Sequence, residues 1–367
     1  MSRFAKTKRV FFVEEPLFTN DSIPRVDTRM CEESAVTVCV PQLPHDLGPD
    51  TMTTIQKLLL NNLISDYGIS DYILWYYTPM ALDFSRHLTP AITVFDCMDE
   101  LSAFAGAPRE MKEREAEMLK RADIVFTGGQ SLYEAKKDRH CDVHCFPSSV
   151  DAQHFAKART VRQDPEDQRH IAHPRLGYCG VIDERMDLTL IEGVAKARPG
   201  WQIVMLGPVV KINPYTLPRL PNIHYLGGRK YNELPQYLGG WDVAILPFAH
   251  NDSTRFISPT KTPEYLAGGR PVVSTSITDV VRPYGEMKLV RIADTVEDFV
   301  KAAEAAMDQD AKSRNWRTTA DAMLSQMSWD LTWQKMAWLI ADKTAEKKLA
   351  ARNVGLGAGS RPAVLGD

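Results

Sequence analysis

Lys261, Thr262, Pro263 and Glu264 directly precede the apolar run YLAGG. Thr262 as cap, Pro263 at the first helical position and Glu264 in the first turn are typical of a helix start. Unpaired backbone N–H groups and the helix dipole attract an anion at such a position. Since Lys261 adds a full positive charge, the sequence predicts that Lys261 and Thr262 bind a diphosphate group.

Glu264 allows two interpretations. Its carboxylate could accept hydrogen bonds from the 2′- and 3′-hydroxyls of a ribose, as acidic residues do in dinucleotide-binding folds. Alternatively, it complements the dipole of its helix, an effect of about 0.3–1 kcal/mol. The spacing leaves both interpretations open.

More candidate binding residues follow predicted strands in the same half of the chain. Ligands of open α/β sheets bind at the carboxyl ends of strands, where Gly suits tight loops and fixed cations suit phosphoryl oxygens. The candidates are Gly180 and Arg185 after RLGYC, Pro208 after QIVMLG, and Arg229 and Tyr231 after IHYLGG.

Acidic residues follow the strand AITVF in the first half, at Asp96 and Asp99. A carboxylate there could deprotonate an acceptor hydroxyl; the alternative is that Asp96 caps the following turn. His45, after VPQLP, is the other candidate base, although loop histidines often have structural roles.

The segment HCDVHC, from His140 to Cys145, holds four potential metal ligands. Its pattern predicts a short strand, in which Cys141 and His144 point to opposite faces. The spacing also differs from that of zinc fingers. We therefore expect neither a metal nor a cofactor.

Short β-branched or aromatic runs alternate with amphipathic stretches along the chain, which indicates parallel sheets covered by helices. The clearest helix spans residues 108–123, with Met111, Glu115, Met118 and Ala122 on one face. The predicted strands are RVFFV, AVTVCV, YILWY, AITVF, DIVFT and DVHCF, then RLGYCG, QIVMLG, IHYLGG, DVAILP, PVVST and KLVRI.

The pattern predicts two domains, as expected for 367 residues. We expect a first domain at 1–158, a polar linker at 159–172, a second domain at 173–327, a helix at 328–345 and a disordered tail at 346–367. The helix begins at Ser328 as N-cap. Its tryptophans could form a membrane-interface stripe or pack against protein.

The composition excludes several classes of protein. A net charge of -3 gives no general attraction to nucleic acid. The sequence shows neither a membrane-spanning run nor a signal peptide, so we expect a cytoplasmic protein whose six cysteines are free thiols. The basic residues Arg3, Lys6, Lys8 and Arg9 could contact anionic lipid at the inner face of the membrane, or form a solvated helix face.

Four blocks, PTKTPEYLAGGRPVVST, LGYCGVIDERMDL, LGGRKYNELPQYLGGWDVAILPF and FDCMDELSAF, resemble bacterial glycosyltransferases of the GT-B superfamily, close to family 4 or "group 1". The resemblance implies two Rossmann-like domains facing across a cleft, a C-terminal helix crossing back to the first domain, and no obligatory metal. It further implies that the second domain holds the nucleotide sugar.

The same resemblance implies residue roles. Glu264 matches the glutamate on the donor ribose, Lys261 and Arg185 face the diphosphate, and Gly180 lets the backbone approach the donor. Arg229, Tyr231 and Pro208 lie on the nucleobase side.

The chain departs from the family pattern in two places. Phe256 stands where family 4 enzymes carry the first of two glutamates that are separated by seven intervening residues. Related sequences begin with a strand before a segment that resembles MSRFAKTKRVFFVEEP, at which this chain opens. Two explanations are open: the strand is truly missing, or the start-site assignment excludes it.

The predicted function is transfer of a sugar from a nucleotide diphosphate sugar to a hydroxyl of a lipid-linked or oligosaccharide acceptor, in exopolysaccharide or surface glycan synthesis. Two alternatives remain open. Sugar-nucleotide 2-epimerases share the fold, and a non-catalytic subunit would bind the nucleotide sugar without turnover.

Overall fold

The computed structural model describes residues 1–357, which form two compact units. Unit 1 comprises Met1–Asp96, Glu110–Phe126 and the chain from Trp333, and unit 2 comprises Cys97–Arg109 and Thr127–Thr332. Residues 97–109 and 127–158, which the prediction assigned to the first domain, thus belong to unit 2. The predicted domain boundaries stay predictions.

Unit 1 contains a sheet centred on one long strand and a second set of parallel strands. The central strand β4 pairs in parallel with β1 and β2 and antiparallel with β3. β5, β6 and β7 lie side by side in chain order. The strands are β1 Phe11–Val13, β2 Leu17–Thr19, β3 Arg25–Met30, β4 Thr37–Pro44, β5 Ile73–Tyr76, β6 Ile92–Cys97 and β7 Ile124–Thr127.

The strands β2 and β3 were not predicted from the sequence. In β3 only Val26 is partly covered and the other five side chains are exposed, so its polar sequence carries no apolar run. Its antiparallel pairing with β4, from Arg25 opposite Gln42 to Met30 opposite Thr37, makes this sheet mixed. Backbone hydrogen bonding therefore defines β3, and burial contributes little to it.

The helices of unit 1 cover its strands. They are α1 Pro49–Asp66, α2 Leu82–Ser85 and α3 Met111–Arg121. The predicted apolar face of α3 is confirmed, because Met111, Glu115, Met118 and Ala122 are all buried.

Unit 2 is built on a six-stranded sheet in the order β11-β10-β9-β12-β13-β14, with every pair parallel. The chain order reverses between β9 and β12, which is the position where doubly wound sheets bind ligands. Its six strands are β9 Arg175–Cys179, β10 Gln202–Leu206, β11 Ile223–Gly227, β12 Val243–Leu246, β13 Val272–Ser274 and β14 Val290–Ile292, and the strand β8 Val143–Cys145 lies outside this sheet. All twelve predicted strands are present.

Helices pack around this sheet, and one large apolar core fills unit 2. The helices of unit 2 are α4 Gln130–Lys136, α5 Ala152–Ala156, α6 Leu188–Ala197, α7 Leu234–Gly239, α8 Lys261–Ala267, α9 Thr278–Val280, α10 Val296–Lys312 and α11 Trp316–Leu324; the last helix of the described chain is α12 Trp329–Gly357. None of the helices between residues 1 and 357 combines the length and apolarity that crossing a bilayer requires.

The C-terminal helix α12 begins as predicted, since the Ser328 hydroxyl accepts a hydrogen bond from the N–H of Leu331 (3.1 Å). From Trp333 onward it belongs to unit 1, in agreement with the expected return of this helix to the N-terminal part of the chain. There Trp333 makes an edge contact with Phe4.

The same helix extends to Gly357, past its predicted end at residue 345. Lys347 pairs with Asp123 at 2.9 Å within unit 1, and the residues around it are good helix formers. The predicted disordered tail from residue 346 is therefore wrong as far as Gly357, and its remainder, 358–367, lies outside the described residues.

The predicted linker at 159–172 is anchored within unit 2 by some of its polar side chains. Gln168 is 0% exposed; its amide donates to the carbonyl of Tyr237 (3.0 Å) and accepts from the indole of Trp241 (3.0 Å). Asp164 pairs with buried Arg175 at 2.6 Å. The polarity that suggested a solvated linker instead supplies partners for buried polar groups.

Candidate functional site

Loops that follow β9, β10 and β12 meet at the carboxyl edge of the unit 2 sheet. Ile182 forms a bridge with Val209, and Met186 forms one with Phe248. The N–H of Ala249 also donates to the carbonyl of Arg185 at 2.8 Å. These bonds bring residues from three distant parts of the sequence to one edge.

Tyr265 joins helix α8 to this edge. Its side chain is 2% exposed, and its hydroxyl accepts a hydrogen bond from the N–H of Cys179 at 2.7 Å. Burial raises the pKa of the Cys179 thiol to about 11, and the charges of Lys261 and Glu264 act on the same thiol in opposite directions. The start of α8 therefore lies beside the end of β9.

The start of α8 differs from the sequence prediction in one detail. The helix begins at Lys261, and Thr260 before it already has helical backbone angles without a side-chain cap. Thr262 is fully buried in the first turn, and its hydroxyl has no hydrogen-bond partner in the described part of the chain. The predicted cap role of Thr262 is therefore wrong, because the helix starts before it.

Lys261 and Glu264 form an ion pair, with 2.6 Å between Nζ and Oε2. Only 9% of Glu264 is exposed. Burial raises the pKa of this carboxyl group, and the nearby Lys261 ammonium opposes the shift. The sequence assigned separate roles to these two residues, and the structure joins them in one ion pair.

Arg185 is held by its neighbour Asp183. The Arg185 guanidinium donates from Nε to Asp183 Oδ1 (2.9 Å) and from a terminal nitrogen to Oδ2 (2.6 Å). Such a bidentate pair fixes the guanidinium in one orientation. Arg185 is thus a positioned cation at the end of β9.

Phe104 lies between two cations at this edge. The guanidinium carbon of Arg185 is 5.7 Å from the centre of its ring, and Nζ of Lys211 is 5.4 Å from it. Lys211 has a left-handed φ of +63°, uncommon for a residue other than glycine. The sequence analysis missed Lys211, whose only signal is a lone lysine in the loop after β10.

The segment 97–109 that carries Phe104 is anchored within unit 2. Lys136, 1% exposed, pairs with Glu100 at 2.5 Å. The Ser102 hydroxyl donates to the same carboxylate at 2.8 Å. This buried ion pair was not predicted, because it joins residues that are far apart in the sequence.

Asp96 and Asp99 belong to different units. Asp99 belongs to unit 2, where burial raises the pKa of its carboxyl group and the charge of Arg185 opposes the shift. Asp96 belongs to unit 1, is 4% exposed and accepts a hydrogen bond from the indole of Trp75 at 3.2 Å. Burial raises the pKa of Asp96 to about 7.

Gly180 and Gly207 form the closest backbone contact of this edge. Gly207 has a φ of +151°, and a Cβ on it would lie 1.8 Å from the carbonyl oxygen of Gly180. The N–H of Gly180 in turn donates to Leu206 at 2.9 Å. The turn at Gly180 thus allows two loops to approach each other closely. That it also lets the backbone approach a donor stays a prediction.

The residues predicted for the nucleobase side differ in their surroundings. Arg229 binds Asp167 and donates to the hydroxyl of Tyr237 (2.6 Å), so its guanidinium already has partners. Tyr231 is half exposed and stacks on His154, with 4.3 Å between ring centres. Pro208 is exposed.

Two further sequence predictions concern other parts of the chain. His45 is exposed in unit 1, with its ring 6.2 Å from that of Phe18. In the segment His140–Cys145, His144 lies 2.6 Å from Asp142. Across the residues that the structure describes, no group of three or more His, Cys, Asp and Glu side chains is arranged to hold a metal ion.

Comparison with known proteins finds a family match for part of the chain. Residues 173–309 match the sequence family "Glycosyl transferases group 1". This part of the chain is similar to group 1 glycosyltransferases. The expected resemblance is thereby confirmed for the part of unit 2 that carries Arg185, Lys261 and Glu264.

A curated relative extends the similarity beyond residues 173–309. The "Putative teichuronic acid biosynthesis glycosyltransferase TuaH" of Bacillus subtilis (strain 168) is 25% identical over 261 residues. The match covers 64% of this chain, and this chain spans 64% of the relative's length.

Solved structures confirm the expected GT-B fold. Sucrose-phosphate synthase from Thermosynechococcus elongatus has a TM-score of 0.70 at 14% identity, covering 94% of this chain and 91% of that one. Anabaena HepE, in complex with UDP and glucose, has a TM-score of 0.61 at 15% identity, covering 84% and 87%. A trehalose 6-phosphate synthase from Burkholderia multivorans has a TM-score of 0.63 at 12% identity, covering 96% and 99%.

Proposed function

We propose that this protein transfers a sugar from a nucleotide diphosphate sugar to a hydroxyl of a glycan or lipid-linked acceptor in surface polysaccharide synthesis. The Lys261–Glu264 pair at the start of α8, beside the end of β9, carries the proposal, because it places an acceptor for ribose hydroxyls beside a cation for the diphosphate. The name of the Bacillus subtilis relative supports the biosynthetic context.

In this proposal the donor replaces contacts that Lys261 and Glu264 make with each other. The ribose hydroxyls donate to Glu264, and the diphosphate competes for the ammonium of Lys261. Arg185, already oriented by Asp183, provides the second cation. Negative charge develops on the leaving diphosphate in the transition state, where fixed cations stabilise it most, so the mechanism requires no metal ion.

Asp99 is the proposed proton acceptor for the acceptor hydroxyl. It groups with Arg185 in unit 2, and burial raises the pKa of its carboxyl group, which makes it a better base than an ordinary aspartate. Asp96 is less suitable, because its carboxyl group is buried in unit 1 and bonded to Trp75.

A thermal-shift screen with UDP-, GDP-, dTDP- and ADP-sugars tests the donor site, because a ligand of the folded state raises its melting temperature. UDP-sugars come first, since HepE was solved with UDP and glucose. Lys261→Ala should abolish the shift. Lys196→Ala, which removes an exposed ion pair of the same unit, should leave it unchanged.

The outcomes separate the candidate functions. Stabilisation together with transfer to an acceptor supports the proposal. Interconversion of the sugar nucleotide without any acceptor would instead identify an epimerase, and binding without turnover on any acceptor would identify a non-catalytic subunit. A panel in which no nucleotide sugar stabilises the protein would overturn the proposed donor site.

A further inference from the structure

Glu184 has an unusual environment at the carboxyl edge of unit 2. Both of its carboxyl oxygens are buried, and neither has a hydrogen-bond partner within residues 1–357. Buried polar atoms in folded proteins nearly always have partners, because an unpaired one loses its hydration without compensation. Two unpaired oxygens on one side chain therefore call for a functional explanation.

The backbone of Glu184 is fixed where two site loops meet. Its carbonyl oxygen accepts a hydrogen bond from the side-chain amide of Asn251 at 2.9 Å. The next residue, Arg185, accepts one from Ala249 at 2.8 Å. Glu184 thus belongs to the loop after β9, at the point where this loop contacts the loop that leads from β12 to Lys261.

The nearby predicted donor cations do not pair with Glu184. Arg185 forms its bidentate pair with Asp183, and Lys261 pairs with Glu264. The carboxyl group of Glu184 therefore has no partner among the described residues, whereas these other charged groups each form an ion pair. A ligand with hydrogen-bond donors and no positive charge fits it without disturbing either pair.

We propose that Glu184 binds the sugar ring of the donor and accepts hydrogen bonds from two of its hydroxyl groups. A carboxylate offers only acceptors, on two oxygens, which matches a pair of neighbouring hydroxyls. A buried polar group built to bind a substrate hydroxyl also discriminates against sugars that lack it, because it is then left unpaired. Glu184 is in this view a specificity-determining residue, and the inference rests on the proposed function.

The test uses calorimetry to compare binding of a nucleotide with binding of the corresponding nucleotide sugar. The pair is UDP and UDP-glucose, or the pair that the thermal screen selects. The wild-type protein should bind the nucleotide sugar more tightly than the nucleotide. Glu184→Gln should reduce affinity for the nucleotide sugar about tenfold or more while leaving affinity for the nucleotide unchanged. Glu264→Gln, the matched variant at the ribose, should weaken both.

Each outcome has a distinct meaning. If Glu184→Gln keeps the wild-type ratio of the two affinities, or if the wild type binds both ligands equally, the inference is wrong while the proposed donor site stands. If the wild type binds neither ligand, the proposed function itself fails. Loss of nucleotide binding together with a lower melting temperature in both Glu184→Gln and Glu184→Asp would show a structural role and overturn the inference.

Discussion

The hydroxyl of Tyr265 accepts a hydrogen bond from the N–H of Cys179 at 2.7 Å and lies 3.3 Å from the carbonyl oxygen of the same residue, to which it donates. One buried phenol thereby fixes the first turn of helix α8 against the end of strand β9. Because Lys261 and Glu264 belong to that turn, their position relative to the sheet edge depends on this contact.

Tyr265→Phe should reduce both stability and donor affinity. Removal of the hydroxyl leaves the buried N–H of Cys179 without its partner, which costs about 1–3 kcal/mol. The free energy of unfolding from urea titration and the donor affinity from calorimetry measure the two effects. Tyr215→Phe is the control, since the side chain of Tyr215 is almost fully exposed. Equal effects of the two variants would contradict the anchoring role.

Gly207→Ala should destabilise the protein by more than about 2 kcal/mol. The added Cβ would lie 1.8 Å from the Gly180 carbonyl oxygen, at a φ of +151° that side chains disfavour. Gly200→Ala is the matched control, because its Cβ would enter open space, and its effect should be within about 1 kcal/mol. Chemical denaturation compares them, and a similar stability of both variants would refute the close approach.

Asp96 should make stability depend on pH. Burial raises its pKa in the folded protein to about 7, above the value of about 3.9 in an unfolded chain. The folded state therefore binds more protons between about pH 4 and 7, so the free energy of unfolding contributed by this group falls as pH rises through that range.

Asp96→Asn should remove this contribution and raise stability at pH 8 by about 2–4 kcal/mol relative to the wild type, with little change at pH 4. Urea titrations at a series of pH values measure it. Asp138→Asn, at an exposed position, serves as control. An unchanged pH profile of the Asp96→Asn variant would show that the carboxyl group is not buried as described.

Asp99→Asn should lower the turnover number about 100-fold or more while leaving donor affinity unchanged, if Asp99 accepts the proton of the acceptor hydroxyl. Because its pKa is raised, turnover of the wild type should increase with pH above the range of an ordinary aspartate. Steady-state kinetics across pH measure both effects. Asp252→Asn, at an exposed position of the loop after β12, is the control. Full activity of Asp99→Asn would show that Asp99 is not the base.

Local patterns predicted much of the fold because burial leaves a periodic trace in the sequence. The twelve apolar runs became strands, the face of Met111 and Met118 is buried, and Ser328 caps α12. The strand β3 escaped prediction for the same reason, since nearly all of its side chains are exposed and only its backbone bonds define it.

The sequence by itself predicted the parallel sheets, the resemblance of the second half to group 1 glycosyltransferases, and Lys261, Glu264 and Arg185 as candidate donor ligands. The tertiary structure decided which charges pair, that residues 97–109 belong with Arg185 in unit 2, that Gln168 anchors the polar stretch 159–172, and that the oxygens of Glu184 lack partners among residues 1–357. The reason is physical: periodicity reports the environment of single elements, whereas pairing and desolvation depend on loops that meet from distant parts of the chain.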